Sequence, residues 1–168
     1  MEGNKSKIKP RALLVFGAPC SGKTTFATKF AEKFGLAYYD LNELKVDYGF
    51  SHEQIFVILE QVLKTKQTII IEGEIDTERE RTDLRNLLRT YGYDPTLLWV
   101  QTDISTIRSR LKMKHKNITK AKKAYDDAVN AIEAPTDIEK PIILSGKHTF
   151  ETQTRHTLKG LAELSESK

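Results

Sequence analysis

Five short apolar runs punctuate the chain: Ala12 to Phe16, Leu36 to Tyr39, Thr68 to Ile71, Thr96 to Val100 and Pro141 to Leu144. Longer stretches between them return apolar residues at helical spacing. Runs with little polar interruption suit strands covered on both faces, and their alternation with helical stretches predicts a parallel sheet of the α/β class. Two helix starts are signposted. Ser51-His52-Glu53-Gln54 has the form of a capping box ahead of Ile55, Ile58, Leu59, Val62 and Leu63, and Thr77-Glu78-Arg79-Glu80 repeats it ahead of Leu84, Leu87, Leu88 and Tyr91. One stretch breaks the pattern. Lys112 to Lys123 holds six lysines and His115, with Met113 and Ile118 its only large apolar side chains. That composition buries little surface and predicts a mobile excursion leading into a helix around Lys120 to Ala134. The polar ends, Met1 to Lys9 and Leu164 to Lys168, are expected to fray.

Composition narrows the class of protein. At 168 residues, with 39% hydrophobic and 30% charged side chains, the chain is expected to form one domain, 1–168, around a packed core. No apolar run reaches the ~20 residues of a membrane span, and the basic start lacks the apolar region of a signal peptide. The expected location is the cytoplasm, away from any membrane. The single cysteine, Cys20, has no partner for an internal disulfide, and no Cys/His spacing resembles a metal site. A net charge of +4 favours anionic partners, yet 27 basic against 23 acidic residues is too even for a dedicated nucleic-acid binder. The lysine stretch also has few aromatics to stack bases.

The candidate chemistry begins directly after the first run. Gly17-Ala18-Pro19-Cys20-Ser21-Gly22-Lys23-Thr24 matches G-x-x-x-x-G-K-[ST] in full and leads into a helical run from Thr25. Glycines let successive backbone N–H groups turn inward, and the helix N-terminus adds its positive end, so the loop cradles phosphates. Lys23 is expected to bridge the β- and γ-phosphates of ATP, Thr24 to ligate Mg²⁺ and Thr25 to reach the α-phosphate. Cys20 reads as a small filler residue in this loop, although a helix N-terminus also lowers a thiol pKa.

With this loop in place, the chain resembles the P-loop kinases. Within them it is similar to the single-domain AAA family predicted kinases, related to polynucleotide kinases and zeta-toxin-like phosphotransferases. The resemblance runs from Arg11 to about Leu161. Ile70-Ile71-Glu72-Gly73-Glu74 ahead of Glu78-Arg79-Glu80-Arg81 matches the third strand and following helix of that group. Asp103, Arg110 and Lys114 match its acid and two basic residues, with lysine in place of the second arginine. Ile132-Glu133-Ala134-Pro135, Glu139 and Ile142-Ile143-Leu144 resemble its closing third. The resemblance implies a P-loop NTPase fold of five parallel strands in the order 2-3-1-4-5. It also implies a lid at about 108–130 and use of ATP with Mg²⁺.

Outside the loop several residues compete for roles. Asp40 ends the second run, where open parallel sheets place reactive groups. Resemblance to shikimate-kinase-like and polynucleotide-kinase-like enzymes makes it the carboxylate that takes the acceptor's proton, while its position also suits a helix N-cap. A shift of two places would put that base at Asn42, with Glu43 adjacent and Lys45 in place of a substrate-binding arginine. Glu72, ending the third run, is preferred over Glu74 as the acid that holds Mg²⁺-bound water. Arg81, Arg85 and Arg89 fall on one helix stripe, which suits either an anionic acceptor or a solvated face. Of Arg108 and Arg110, spacing from Asp103 favours Arg110 as the lid arginine aimed at the γ-phosphate, with Lys114 in support. The expected activity is transfer of the ATP γ-phosphoryl group to a hydroxyl of a small molecule, nucleoside or nucleic acid. Its rival is an ATPase or nucleotide switch without an acceptor.

Overall fold

The computed structural model describes residues 9–114 and 116–166. Its five strands are β1 (Arg11–Phe16), β2 (Ala37–Asp40), β3 (Ile69–Glu72), β4 (Asp94–Gln101) and β5 (Ile142–Ser145). They form one parallel sheet in the order β2-β3-β1-β4-β5, as expected. Each strand lies within a few residues of its apolar run. The largest difference is β4, which begins two residues ahead of Thr96 and passes through Pro95. Proline lacks the N–H that a central strand must donate, so the run reads as starting after it. Here β5 pairs with β4 only from Leu98 onward, leaving Pro95 on a free flank.

Alternation along the buried strands gives each face its own core. Ala12, Leu14 and Phe16 of β1 and Ile69 and Ile71 of β3 face one side. There they pack on α2 (Leu41–Val46), α3 (His52–Leu63) and α4 (Glu78–Thr90) through Leu41, Leu59 and Leu84. Leu13, Val15 and Ile70 face the other side and meet Phe26, Ala27 and Phe30 of α1 (Lys23–Phe34) and Leu161 of α7 (Phe150–Glu166). Both expected capping boxes are formed, at Ser51 for α3 and Thr77 for α4. Each closes two otherwise orphaned N–H groups and fixes where its helix enters the core.

The lysine-rich stretch is not an irregular excursion. It is divided between the end of α5 (Ile104–Lys114) and the start of α6 (Ile118–Ala131), the latter capped by the Asn117 side chain. Ile107 and Leu111 of α5 and Tyr125 of α6 make a third small cluster against Ala18 and Cys20. One buried face thus suffices for helix formation while the lysines project outward. The chain from Leu164 to Glu166 is helical rather than frayed. Met1 to Ile8 and the last two residues, with the fraying expected of them, lie outside the described residues, as does His115. Among the described residues no helix is long and apolar enough to cross a membrane.

Candidate active site

The strand order reverses its direction of growth at β1: β3 and β2 lie to one side, β4 and β5 to the other. Crevices outside the carboxyl ends of strands open at such a switch point. Residues 17–24 occupy it. Gly17 leaves β1 at φ 150°, and a Cβ there would stand 2.3 Å from the Val100 carbonyl oxygen, so only glycine fits against β4. The loop then closes through Ser21 N–H to the Ala18 carbonyl at 3.1 Å and enters α1 at Lys23. Side chains of Asp40, Ser51, Thr77 and Asn117 cap α2, α3, α4 and α6, whereas α1 carries no side-chain cap. Its first N–H groups are thereby left for an anion.

At the mouth of the loop, β3 delivers Glu72. This carboxylate is buried; its Oε1 accepts from Thr24 Oγ1 at 2.6 Å, and Lys23 Nζ stands 3.8 Å away. Its Oε2 accepts from the Tyr38 hydroxyl at 2.9 Å. Burial raises the Glu72 pKa, outweighing the hydrogen bond from Thr24 and the charge of Lys23. Burial and the Glu72 charge raise that of Tyr38 in turn, so the phenol stays protonated and donates. A desolvated carboxylate beside a hydroxyl offers the hard oxygens that Mg²⁺ takes together with water and phosphate oxygens, so the pair fits that ion. The structure thus brings together Lys23, Thr24 and Glu72. Glu74 is turned away, its carboxylate meeting Lys45 Nζ at 2.8 Å and His52 Nδ1 at 3.4 Å.

Two cavities flank Lys23. One of about 490 Å³ is lined by Thr24 and Thr25 of the loop side, by Arg110 and Lys114 of α5, and by His148 and Phe150 beyond β5. Arg110 is placed differently from the expectation of a guanidinium aimed at the γ-phosphate. It donates to the carbonyls of Cys20 at 3.0 Å, Ser21 at 3.1 Å and Gly146 at 2.9 Å. Three carbonyls within reach are strong acceptors for a planar five-donor group, so Arg110 ties α5 to the phosphate loop and to the turn after β5. Arg108 is exposed on the same helix.

The second cavity, about 150 Å³, lies on the β3 side and is shared by Lys23, Asn42, Gly73 and Asp76 under Ala128 and Ile132. Gly73 is needed here, because at φ 89° a Cβ would stand 2.7 Å from the Asn42 side chain. Asp40 does not line this cavity; its Oδ1 accepts from Asn42 N–H at 2.9 Å and Glu43 N–H at 3.2 Å, as the N-cap of α2. Of the arginine stripe only Arg89 is the exposed, solvated face that the spacing allows. Arg81 is 0% exposed and paired with Glu139 through Nε at 2.8 Å and Nη2 at 3.1 Å. Its Nη1 donates to the carbonyls of Asp76 at 2.9 Å and Glu133 at 3.0 Å, and Arg85 stands 3.7 Å from the same carboxylate. Arg81 therefore clamps the β3–α4 connection to the chain beyond α6, and neither it nor Arg85 faces the cavity.

Fold and loop together define a P-loop NTPase fold of the five-stranded, all-parallel kind. Solved structures with this fold include a gluconokinase from Sinorhizobium meliloti 1021, at TM-score 0.66 and 17% identity over 95% of each chain. A sugar kinase from Janibacter sp. HTCC2649 matches at TM-score 0.64 and 19% identity over 91% of this chain and 95% of that one. The Mycobacterium tuberculosis APS kinase CysC, solved with AMPPNP and APS, matches at TM-score 0.67 and 14% identity over 92% and 98%. No protein-family model matches the chain, and no curated protein does.

Proposed function

We propose that the protein is an ATP-dependent phosphotransferase that moves the γ-phosphoryl group of ATP to a hydroxyl acceptor, within the single-domain P-loop kinase group that its sequence resembles. The observation that carries this reading is the position of Lys23, Thr24 and Glu72 between two cavities, one large enough for a nucleotide and one beside the point of transfer. ATP would lie with its base and ribose between Arg110, Lys114 and His148. The free N–H groups at the start of α1, from Gly22 to Thr25, would hold its phosphates, and Lys23 would neutralise charge on the transferring group. Thr24 and Glu72 would hold Mg²⁺, which when bound would supply positive charge to offset that of the phosphates. Tyr38 keeps the Glu72 carboxylate oriented. The three solved structures above are all kinases, which favours transfer to an acceptor.

One observation favours the second reading, a nucleotide switch. Beside α6 and the sheet edge, Trp99, Ile104, Val129 and Ile143 line a groove of about 740 Å³, where a protein partner could seat. The test is common to both readings. Lys23→Ala is expected to abolish ADP formation and weaken binding of MgATP while leaving the melting temperature close to wild type, and unchanged turnover would refute the assignment of the loop. ADP formation that rises when a hydroxyl compound is added, with the phosphoryl group recovered on it, separates a kinase from a switch.

A further inference from the structure

The cavity of about 150 Å³ has a charge balance that bears on whether the acceptor is anionic, the alternative that the arginine stripe left open. Only two of its lining residues are ionisable, Lys23 and Asp76. Lys23 is committed to the phosphates and to Glu72. The nearby cations that an anionic acceptor would need are already engaged away from this cavity, Lys45 with Glu74, and Arg81 and Arg85 with the one carboxylate of Glu139. Asp76 is in the opposite state. Its backbone carbonyl is held by Arg81 Nη1 and by the N–H of Glu133 at 2.9 Å, so the residue is fixed in place. Its carboxylate makes no hydrogen bond among the described residues. Beside it in the cavity wall is Asn42, a neutral residue that both donates and accepts.

We infer that Asp76 and Asn42 form the acceptor subsite, that the acceptor is a hydroxyl compound carrying no negative charge, and that Asp76 is the carboxylate that takes its proton. This rests on the phosphotransferase reading and names the substrate class of that site. In the step, the acceptor oxygen forms the new bond to the γ-phosphorus and its proton passes to the Asp76 carboxylate. The bond from that phosphorus to the β–γ bridging oxygen breaks, and ADP departs with the electron pair. Burial raises the affinity of Asp76 for a proton and the Glu80 charge adds to this, with Lys23 opposing, so the environment suits a base. An anion in the same place would face a carboxylate that accepts no hydrogen bond among the described residues, in a partly desolvated pocket where Lys23 is the one cation in the lining, which is unfavourable. Asp40, its oxygen engaged by two N–H groups, gives up the role that the sequence resemblance assigned to it.

The experiment offers matched acceptor pairs to the wild-type protein at saturating MgATP: sorbitol with gluconate, glycerol with glycerate, adenosine with AMP. ADP release above the rate with water alone is expected from the uncharged member of a pair, with the product identified by phosphorus NMR. Faster turnover of the charged member overturns the inference. Should no pair exceed the water rate, the side-chain amide signal of Asn42 in the AMPPNP complex is followed as each compound is added. A shift with uncharged members supports the site, and a shift with charged members alone, or with none, overturns it. Asp76→Asn is expected to lower the transfer rate, or the background hydrolysis with water as acceptor, by ~10²–10⁴ with the AMPPNP dissociation constant unchanged. Wild-type rate in that variant, with loss of rate in Asp40→Asn, returns the role to Asp40 and refutes the assignment. Failure of the wild-type protein to bind MgATP is a separate result, and it sinks the phosphotransferase reading itself.

Discussion

Replacing Arg81 with methionine tests how the site is held together. The methionine keeps an unbranched apolar stem over the Phe16 ring, where the guanidinium now stacks at 5.0 Å, but it removes every donor. Glu139, its side chain only 4% exposed, then keeps Arg85 at 3.7 Å as its sole ion-pair partner among the described residues, and the carbonyls of Ile75, Asp76 and Glu133 lose the hydrogen bonds that Nη1 gave them. Breaking a buried pair by removing one member costs ~3–5 kcal/mol, because the remaining charge stays buried. For a domain of this size each kcal/mol lowers the melting temperature by ~2–4 °C, so the expected loss is ~6–20 °C, with Arg85 holding it toward the lower half. Calorimetry on Arg81→Met, Glu139→Gln and the double variant should show strong non-additivity, the double variant recovering part of the loss. Acidification supplies an independent check. Burial alone would raise the Glu139 pKa, but its hydrogen bonds from Arg81 and Thr136 prevail and lower it. A depressed carboxylate contributes stability that is present above the ordinary glutamate range and lost as pH falls through its folded pKa. The wild-type margin over the double variant should therefore close below that range. A melting loss under ~3 °C for Arg81→Met, or simple additivity, would show that the clamp is dispensable.

Two further expectations concern α5 and α6. Arg110→Ala removes three charge-assisted hydrogen bonds that tie the phosphate loop to the turn after β5, so calorimetric titration should show AMPPNP binding weakened by ~10-fold or more, and not a fall in turnover alone. Hydrogen exchange across Lys112 to Lys123 should slow when AMPPNP binds, since a triphosphate relieves repulsion among the six lysines only when the helices close; equal exchange with and without it would make this stretch a static solvated surface.

What the sequence discloses and what it hides divides along the range of the interactions. Strands, the phosphate loop and both capping boxes are written in neighbouring residues, and the described structure follows them closely. Glu72 was legible for the same reason, standing at the end of an apolar run that β1 pairs in register, with Val15 opposite. Arg81 was not. Its spacing with Arg85 and Arg89 reads as a surface stripe, because the residue that neutralises it, Glu139, stands 58 positions away and no local pattern announces the pair. Tyr38 escaped in the same way: it lies two places before Asp40 on β2, yet its meaning depends on Glu72, 34 residues on.

Asp76 shows how such a distant pair can decide chemistry. In the sequence it is one more polar residue ahead of the Thr77 cap, with nothing to separate it from an ordinary loop acid. In the fold, Arg81 holds the Asp76 and Glu133 carbonyls at once, and Glu133 N–H returns to Asp76, so the β3–α4 connection and the end of α6 are fixed to one another. That arrangement uses the backbone of Asp76 and leaves its carboxylate unspent beside Lys23. Asp40 has the reverse assignment, its Oδ1 taking both N–H groups that start α2. Two acids near the ends of adjacent strands thus divide the work between capping and chemistry. The division follows from which of them has its side chain already hydrogen-bonded, a property that only the folded chain possesses.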